Sequence, residues 1–428
     1  MMLFEELKAR GLIHQVTDPK IQEVLNRPPV TAFVGIDPTS DSLHVGNLLV
    51  LVTLRRLQLA GHKIILLVGG ATGFIGDPSG KTQERQLLDS HLIEKNIQGI
   101  GRVISRFISV DGNQTKMVNN WDWFKEFSIL DFLRDAGKHF TVNYMTAKES
   151  VQTRLQDREH GLSYTEFSYM LLQAYDFYYL NKHYGCNLQL GGADQWGNIT
   201  AGIELIRRKS AAQNLPGGSV YGCTWPLVTK ADGSKFGKSE SGNVWLSEDK
   251  TKPYDFYQFF LRTQDTEVIQ FLKYFTFLSL EQIEEYRLAV ERNPEKREAQ
   301  AVLARELTVL VHGEDEFQKA QKASASFFSS DPMQMSSEML EQLIAHSPST
   351  SKTKGSLESG IFIVDLLVET QLVSSKSQAR KDIQGGGIYL NDQRVDDVHL
   401  KIHPDHLVAN QYVILRKGKK TYHIVQFL

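Results

Sequence analysis

Two short motifs carry the residue types best suited to chemistry. Lys235, Phe236, Gly237, Lys238 and Ser239 put two ammonium groups beside a glycine able to let a loop move. Far upstream, the run Asp37-Pro-Thr-Ser-Asp-Ser-Leu ends in His44, Val45, Gly46 and Asn47. His44 is expected at a helix N-terminus, where free amides and the helix dipole favour phosphate. Gly46 would let a nucleotide lie close to the backbone, where any side chain would block it. A lone histidine in such a place is an ordinary cap; paired with two downstream lysines it suits a reaction at the α-phosphate of ATP. There negative charge must be held while pyrophosphate leaves.

A third constellation lies at 165–180, where Tyr169, Gln173 and Asp176 recur at i, i+4 and i+7, the spacing of one helical face. Phe167, Met170, Leu171, Leu172, Phe177 and Tyr178 surround them and leave little room for a solvent-facing side, so the polar stripe is read as lining a pocket. Downstream, Gly191, Gly192, Ala193, Asp194, Gln195, Trp196, Gly197 and Asn198 follow an apolar run as a strand-end loop would. The stretch from Gly69 to Thr82, with Gly73, Gly76, Asp77, Gly80 and Lys81, invites comparison with a phosphate-binding P-loop. That motif needs four residues between its glycines, and Gly76 to Gly80 is one short. A P-loop kinase or GTPase is thereby disfavoured, and no dinucleotide fingerprint stands in a suitable setting. Gly69 and Gly70 could serve tight turns alone.

The elements that would position these residues alternate. Residues 30–36 read as a β-branched strand, 48–59 as a helix, and 63–68 as a fully apolar strand running into Gly69. Such alternation predicts an α/β fold, a doubly wound parallel sheet of Rossmann-like type, with ligands outside the C-terminal strand ends. Residues 253–320 carry a helical pattern rich in Glu, Lys, Arg, Leu and Phe. Beyond them, 321–358 reads as a linker with one short helix, rich in Ser, Pro and Gly. A compact unit closes the chain. The expected boundaries are 1–248 for the catalytic domain, 249–320 for a helical domain, 321–358 for the linker and 359–428 for a small α+β domain.

Composition bounds the rest. With 428 residues, 41% hydrophobic content and a net charge of −2, the chain is an ordinary globular protein rather than a disordered one. Its longest apolar runs fall far short of the roughly 18 residues of a membrane span. The N-terminus lacks the features of a secretory or transit segment, so the expectation is a cytoplasmic protein without a membrane partner. Cys186 and Cys223 have neither the number nor the spacing of a disulfide framework or a zinc site, and no metal-ligand set is expected. Basic residues thicken near the C-terminus, at Lys376, Arg380, Lys381, Arg394, Lys401, Arg416, Lys417, Lys419 and Lys420, which is either a solvated face or a local field for nucleic acid.

Taken together, the Lys235–Ser239 and His44–Asn47 motifs, the Gly-Gly-Ala-Thr-Gly and Gly-Asp-Pro-Ser-Gly-Lys runs, Phe-Ser-Tyr-Met-Leu-Leu-Gln-Ala-Tyr-Asp-Phe and Gly-Gly-Ala-Asp-Gln-Trp-Gly-Asn resemble the bacterial-type tyrosyl-tRNA synthetases over nearly the whole chain. The resemblance implies activation of L-tyrosine by Mg-ATP to tyrosyl-AMP, then transfer to the 3′-terminal ribose of tRNA(Tyr), with no covalent enzyme intermediate. It assigns Tyr169, Gln173, Asp77 and Thr72 to the substrate ammonium, with Asn120 supporting Asp77, and Asp176 to the phenol hydroxyl. Gln195 would lie near the carboxylate and α-phosphate. Gly35, Asp37, Gly46, Gly192 and Asp194 would meet the nucleotide, with Leu227 and Val228 flanking adenine. His44 and Asn47 would stabilise the leaving phosphates, and Lys81, Arg85, Lys235 and Lys238 would close over pyrophosphate. The C-terminal unit resembles an S4-type RNA-binding module, with Lys376, Arg380, Lys381, Arg416 and Lys417 facing RNA. Residues 121–144 match the family's dimer-interface region, implying a homodimer.

Two positions depart from the family pattern. Asn47 replaces a histidine, and its amide can still donate to phosphate. Phe33 stands where the family generally has a tyrosine that shares the substrate hydroxyl, which would leave Asp176 to discriminate tyrosine from phenylalanine. The alternatives are a tryptophanyl-tRNA synthetase, against which Asp176 and the S4-like tail argue, an adenylyltransferase acting on small acids, which leaves the basic tail unexplained, and a non-catalytic RNA-binding relative, against which the retained His44, Asp77, Asp194, Lys235 and Lys238 argue.

Overall fold

The computed structural model describes residues 1–79, 89–156, 161–213, 219–229, 236–239, 242–329, 340, 349–418 and 421–428. The chain forms two compact units, one of Met1–Thr251 with Phe260–Val311, the other of Lys252–Phe259 with His312–Leu428.

The first unit is built on six strands: β1 (Gln15–Val16), β2 (Thr31–Ile36), β3 (Lys63–Val68), β4 (Thr115–Asn119), β5 (Leu188–Gly192) and β6 (Tyr221–Trp225), in the order β1-β6-β5-β2-β3-β4. All neighbours pair in parallel except β1, which runs antiparallel on the edge at β6. In β3 every residue after Lys63 is buried, as a strand covered by helices on both faces requires. From β2 the chain winds through β3 and β4 to one side, then through β5 and β6 to the other. The reversal falls between β2 and β5, and a crevice outside the C-terminal ends of such strands is where this sheet type takes ligands.

The helix Leu48–Leu59 makes the first crossover, with bounds that match its apolar periodicity. The helix Tyr164–Tyr184 starts at Ser163, whose hydroxyl accepts from the Glu166 amide, and stops at Gly185 in the left-handed region. It packs on the helix Trp196–Ala212, and Phe33, Phe177, Leu180, Ala201 and Leu205 share the core that includes both helices and the sheet. Burying each Phe or Leu side chain of this set contributes about 1.5–3 kcal/mol.

Two short strands, β7 (Lys238–Ser239) and β8 (Gly242–Asn243), pair antiparallel. The helical segment resolves into Pro253–Leu261, Asp265–Phe275, Leu280–Arg292, Glu298–His312 and Glu314–Ser329, the last of which continues past 320.

In the second unit β9 (Ser349–Lys352), β11 (Ile388–Leu390), β12 (Gln393–Arg394), β14 (Tyr412–Lys417) and β15 (Thr421–Phe427) form a sheet ordered β12-β11-β14-β15-β9, while β10 (Ile361–Phe362) pairs with β13 (Lys401–Ile402). Strand β9 lies inside the stretch read as linker. Its residues Ser-Thr-Ser-Lys show no apolar alternation, and its main chain pairs parallel with β15, so periodicity gives no sign of it. The helices Ile363–Glu369 and Lys376–Gln384 contribute to a core with Leu366, Leu367, Ile383, Val413 and Leu415. Between β11 and β12 the two-residue loop Asn391-Asp392 has φ of 48° and 66°, the backbone of a tight hairpin turn. Among the described residues no helix is long and apolar enough to cross a membrane.

Candidate active site

The structure joins the two motifs from opposite ends of the first unit's sequence. Main-chain hydrogen bonds run from Val45 N to Val244 O at 2.9 Å, from Leu246 N to Leu43 O at 2.8 Å and from Val244 N to Gly237 O at 3.0 Å. The segment 244–246 that follows β8 is therefore docked on the histidine motif and also holds Gly237, and Phe236 beside it packs its ring 4.8 Å from Phe271 and 5.5 Å from Phe275. Lys238 is placed by its main chain in β7, while Lys81, Arg85 and Lys235 lie outside the described residues.

His44 caps the short helical turn Val45–Asn47. Its Nδ1 accepts from Gly46 N at 3.0 Å, and Asn47 Oδ1 accepts from His44 N at 3.1 Å. A backbone N–H can only donate, so the neutral imidazole carries its proton on Nε2. That makes His44 a hydrogen-bond donor there, and Asn47 keeps its amide donor because only its oxygen is used by the cap. Gly46 has a reason beyond the one expected of it: a Cβ would stand 2.6 Å from the His44 ring.

A hydrogen-bonded network lines the crevice. Asp176 is 2% exposed; its two oxygens accept from Asn120 Nδ2 at 3.1 Å and Trp123 Nε1 at 2.9 Å. Burial pushes its carboxyl up to about 8, against the pull of those two donors. Asn120 Nδ2 also donates to Thr72 Oγ1 at 3.1 Å, and its Oδ1 accepts from Ala71 N at 2.7 Å. Thr72 donates to Asp37 Oδ1 at 2.9 Å, and the Tyr169 hydroxyl donates to Asp37 Oδ2 at 2.9 Å. Burial, with the charge of Asp37 next, raises the Tyr169 phenol well above its ordinary range, so it stays a donor. Gln195 Nε2 donates to Asp77 Oδ2 at 2.7 Å, while its Oε1 accepts from Gln173 at 3.2 Å and Asn198 at 3.3 Å.

Asp37, expected at the nucleotide, is thus tied to Thr72 and Tyr169, and Asn120, expected beside Asp77, is tied to Asp176 and Thr72. The Asp37–Thr72 bond also accounts for Gly69, where a Cβ would lie 2.2 Å from Asp37 Oδ1 and 2.3 Å from Thr72 Oγ1. Phe33 is fully buried, its ring 5.2 Å from that of Phe177. Gly35 is the exposed residue just after the buried part of β2, and a Cβ there would meet nothing within 4 Å. Gly192 lies beside Asp194 and Leu227: its Cβ would be 2.6 Å from Asp194 Oδ1 and 3.2 Å from Leu227 Cδ2. Leu227 is exposed and Val228 half-buried just after β6. Trp123 is a functional candidate that the motifs miss, and Asn198, the last residue of the 191–198 motif, is one to which they gave no role. The signal for Trp123 was its place in the polar and aromatic run that follows β4, whose C-terminal end opens on the same crevice.

In the second unit the expected RNA contacts differ in their engagement. Arg416 is stacked 3.6 Å above the Tyr389 ring centroid and paired with Asp392 at 2.5 Å. Lys417 is paired with Asp382 at 2.8 Å and Lys376 with Asp365 at 2.7 Å. Arg380 and Lys381 are exposed on the helix Lys376–Gln384. Lys419 and Lys420 lie outside the described residues.

Comparison with known proteins adds independent findings. Residues 25–329 match a family model described as tRNA synthetases class I (W and Y), and residues 339–425 one described as the tyrosine–tRNA ligase SYY-like C-terminal domain. The chain is 49% identical to the tyrosine–tRNA ligase of Bacillus caldotenax over 430 aligned positions, covering 100% of both chains. Tyrosine–tRNA ligase 1 of Bacillus subtilis is 47% identical, with 99% of each chain covered. Among solved structures, a C-terminally truncated mitochondrial tyrosyl-tRNA synthetase of Aspergillus nidulans superposes with a TM-score of 0.67 at 31% identity, covering 76% of this chain and 94% of that one.

Proposed function

The chain belongs to the class I tRNA synthetases of the W and Y type, and from that premise we propose that it is a tyrosine–tRNA ligase whose phenol pocket closes on Asp176. In the first step the tyrosine carboxylate oxygen attacks the α-phosphate of ATP; the bond to AMP forms as the bond to pyrophosphate breaks. In the second, a hydroxyl of the tRNA 3′-terminal ribose attacks the tyrosyl carbonyl and AMP leaves.

One observation carries the choice of tyrosine: a buried carboxyl held by Asn120 and Trp123, two turns along the helix from Tyr169. Each of its oxygens has accepting capacity beyond the one donor it holds, and a phenol hydroxyl supplies the missing donor. At the other end the ammonium goes to Asp77, Tyr169, Gln173 and Thr72. The bonds from Tyr169 and Thr72 to Asp37 support adding that carboxylate to the ammonium's surroundings. Gln195, hydrogen-bonded to Asp77, is in reach of the carboxylate side. The nucleotide takes the crevice by Gly35, Gly192 and Asp194, with adenine against Leu227 and Val228. The His44 Nε2–H and the Asn47 amide donate to phosphate oxygens as charge moves onto pyrophosphate, and Lys81, Arg85, Lys235 and Lys238 neutralise it.

Catalysis is then positioning and charge stabilisation. Magnesium would arrive with ATP as part of that substrate, a hard cation suited to oxygen ligands. Exposed Ile129 (74%), Leu130 (68%) and Val142 (64%) in the segment 121–144 support a homodimer formed through that face. The exposed Arg380 and Lys381 support tRNA binding by the second unit. The proposed reaction, charging tRNA for protein synthesis, supports a cytoplasmic location.

Incubation with labelled tyrosine, ATP and tRNA(Tyr) tests the proposal. Acid-precipitable tyrosine that depends on both ATP and tRNA is expected; charging with tryptophan instead, or no charging, overturns it.

A further inference from the structure

Arg154 and Glu166 form the one ion pair among the described residues that is closed off from solvent at both ends, each side chain being 2% exposed. The contact is bidentate, with Nη1 to Oε1 at 2.9 Å and Nη2 to Oε2 at 2.8 Å. Arg154 Nε and Nη2 also donate to the Gly161 carbonyl at 3.0 and 2.7 Å. The main-chain N–H of Glu166 donates to the Ser163 hydroxyl at 3.2 Å. All these bonds converge on one place, the first turn of the helix Tyr164–Tyr184.

A buried ion pair is a poor device for stability, because removing two charges from water offsets most of their attraction. Fixed geometry is what a planar, two-bond contact does supply. Glu166 precedes Tyr169 by three residues, so the two occupy adjacent turns of one helical face. Asp176 lies ten residues along from Glu166, about 15 Å at the helical rise. A shift of the first turn therefore reaches Tyr169 directly and Asp176 hardly at all. Tyr169 is itself buried and its hydroxyl is held by Asp37, so a displaced first turn would strain that bond before any other in the pocket.

We propose that Arg154 and Glu166 are a positioning pair that fixes the start of the substrate helix, and through it the Tyr169 hydroxyl, against the substrate ammonium, with no part in holding the phenol. The proposal rests on the reading of the pocket given above.

Two ligands separate the ends of the pocket. Tyrosinol carries the ammonium and the phenol; 3-(4-hydroxyphenyl)-1-propanol carries the phenol alone. Their affinities are measured by titration calorimetry on the full chain, in wild type, in Arg154→Met and in the double variant Arg154→Met/Glu166→Leu. The double variant leaves no lone buried carboxylate, so it carries the test if the single one fails to fold. Wild type is expected to prefer tyrosinol, and both variants to lose about tenfold for tyrosinol, the share of one charge-assisted hydrogen bond, but under about twofold for the propanol. A wild type without preference for tyrosinol overturns the pocket reading itself. A wild-type preference that persists undiminished in the double variant overturns the positioning role alone. Equal loss of both ligands also overturns it, since the pair would then support the whole helix.

Discussion

Asp176→Asn isolates the group on which the proposed choice of tyrosine rests. In the wild type one carboxylate oxygen accepts from Asn120 at 3.1 Å and the other from Trp123 at 2.9 Å, leaving capacity on each for the substrate hydroxyl. Asparagine keeps the volume but offers one acceptor and one donor, so either Asn120 or Trp123 faces a donor. Above about pH 8, where the acid is ionised, the tyrosine hydroxyl loses a charge-assisted bond worth about 1.5–3 kcal/mol, which is roughly 10- to 150-fold in kcat/KM. Phenylalanine makes no such bond, and in wild type it leaves the buried acid without its partner, so its kcat/KM should hold or rise. The ratio of the two therefore falls by at least about tenfold. Pyrophosphate exchange with each amino acid, in wild type and variant, reads this ratio directly. An unchanged ratio would mean that Asp176 does not touch the hydroxyl.

Phe33→Tyr places a second hydroxyl in the fully buried position beside Phe177; if it reaches the substrate phenol, discrimination against phenylalanine should rise about two- to tenfold, one neutral hydrogen bond's worth, as measured in the same exchange assay. The Asp176 carboxyl, raised to about 8 by burial, keeps its proton in the free enzyme below that pH, while the phenol donates best to the ionised form. The tyrosine KM should therefore fall between pH 6 and 8, by up to about tenfold per unit, and level off above; a flat profile contradicts this. The same shift makes the folded state hold a proton that the unfolded chain has lost, so this group's contribution to stability is full below the ordinary carboxyl range and is lost as pH rises toward about 8. Thermal melts across that range should show the decline in wild type and not in Asp176→Asn. In the second unit, alanine at Arg380 or Lys381 should lower the slope of log affinity for tRNA against log salt by about 0.7–0.9 each, whereas Lys417, already paired with Asp382, should change it less.

The strands and crossover helix that frame the crevice are legible because two-sided burial and a 3.6-residue period leave plain apolar patterns, as in β3 and Leu48–Leu59. The substrate helix is legible for the opposite reason, a polar stripe where only apolar residues would otherwise serve. What stays hidden is connection. Nothing in spacing tells that Trp123 reaches Asp176 across 53 residues, or that Tyr169 meets Asp37 across 132. The two glycines Gly69 and Gly70 look like turn residues until the side chains of Asp37, Thr72 and Asn119 are seen to press against them. The buried Arg154–Glu166 pair is invisible for the same reason, since neither residue type predicts burial.

Activation of tyrosine in this crevice is read out by amino-acid-dependent exchange of pyrophosphate into ATP by the purified chain, run in parallel with tyrosine, phenylalanine and tryptophan. Strong exchange with tyrosine alone is the predicted result. Exchange with tryptophan, or with none of the three, would contradict it.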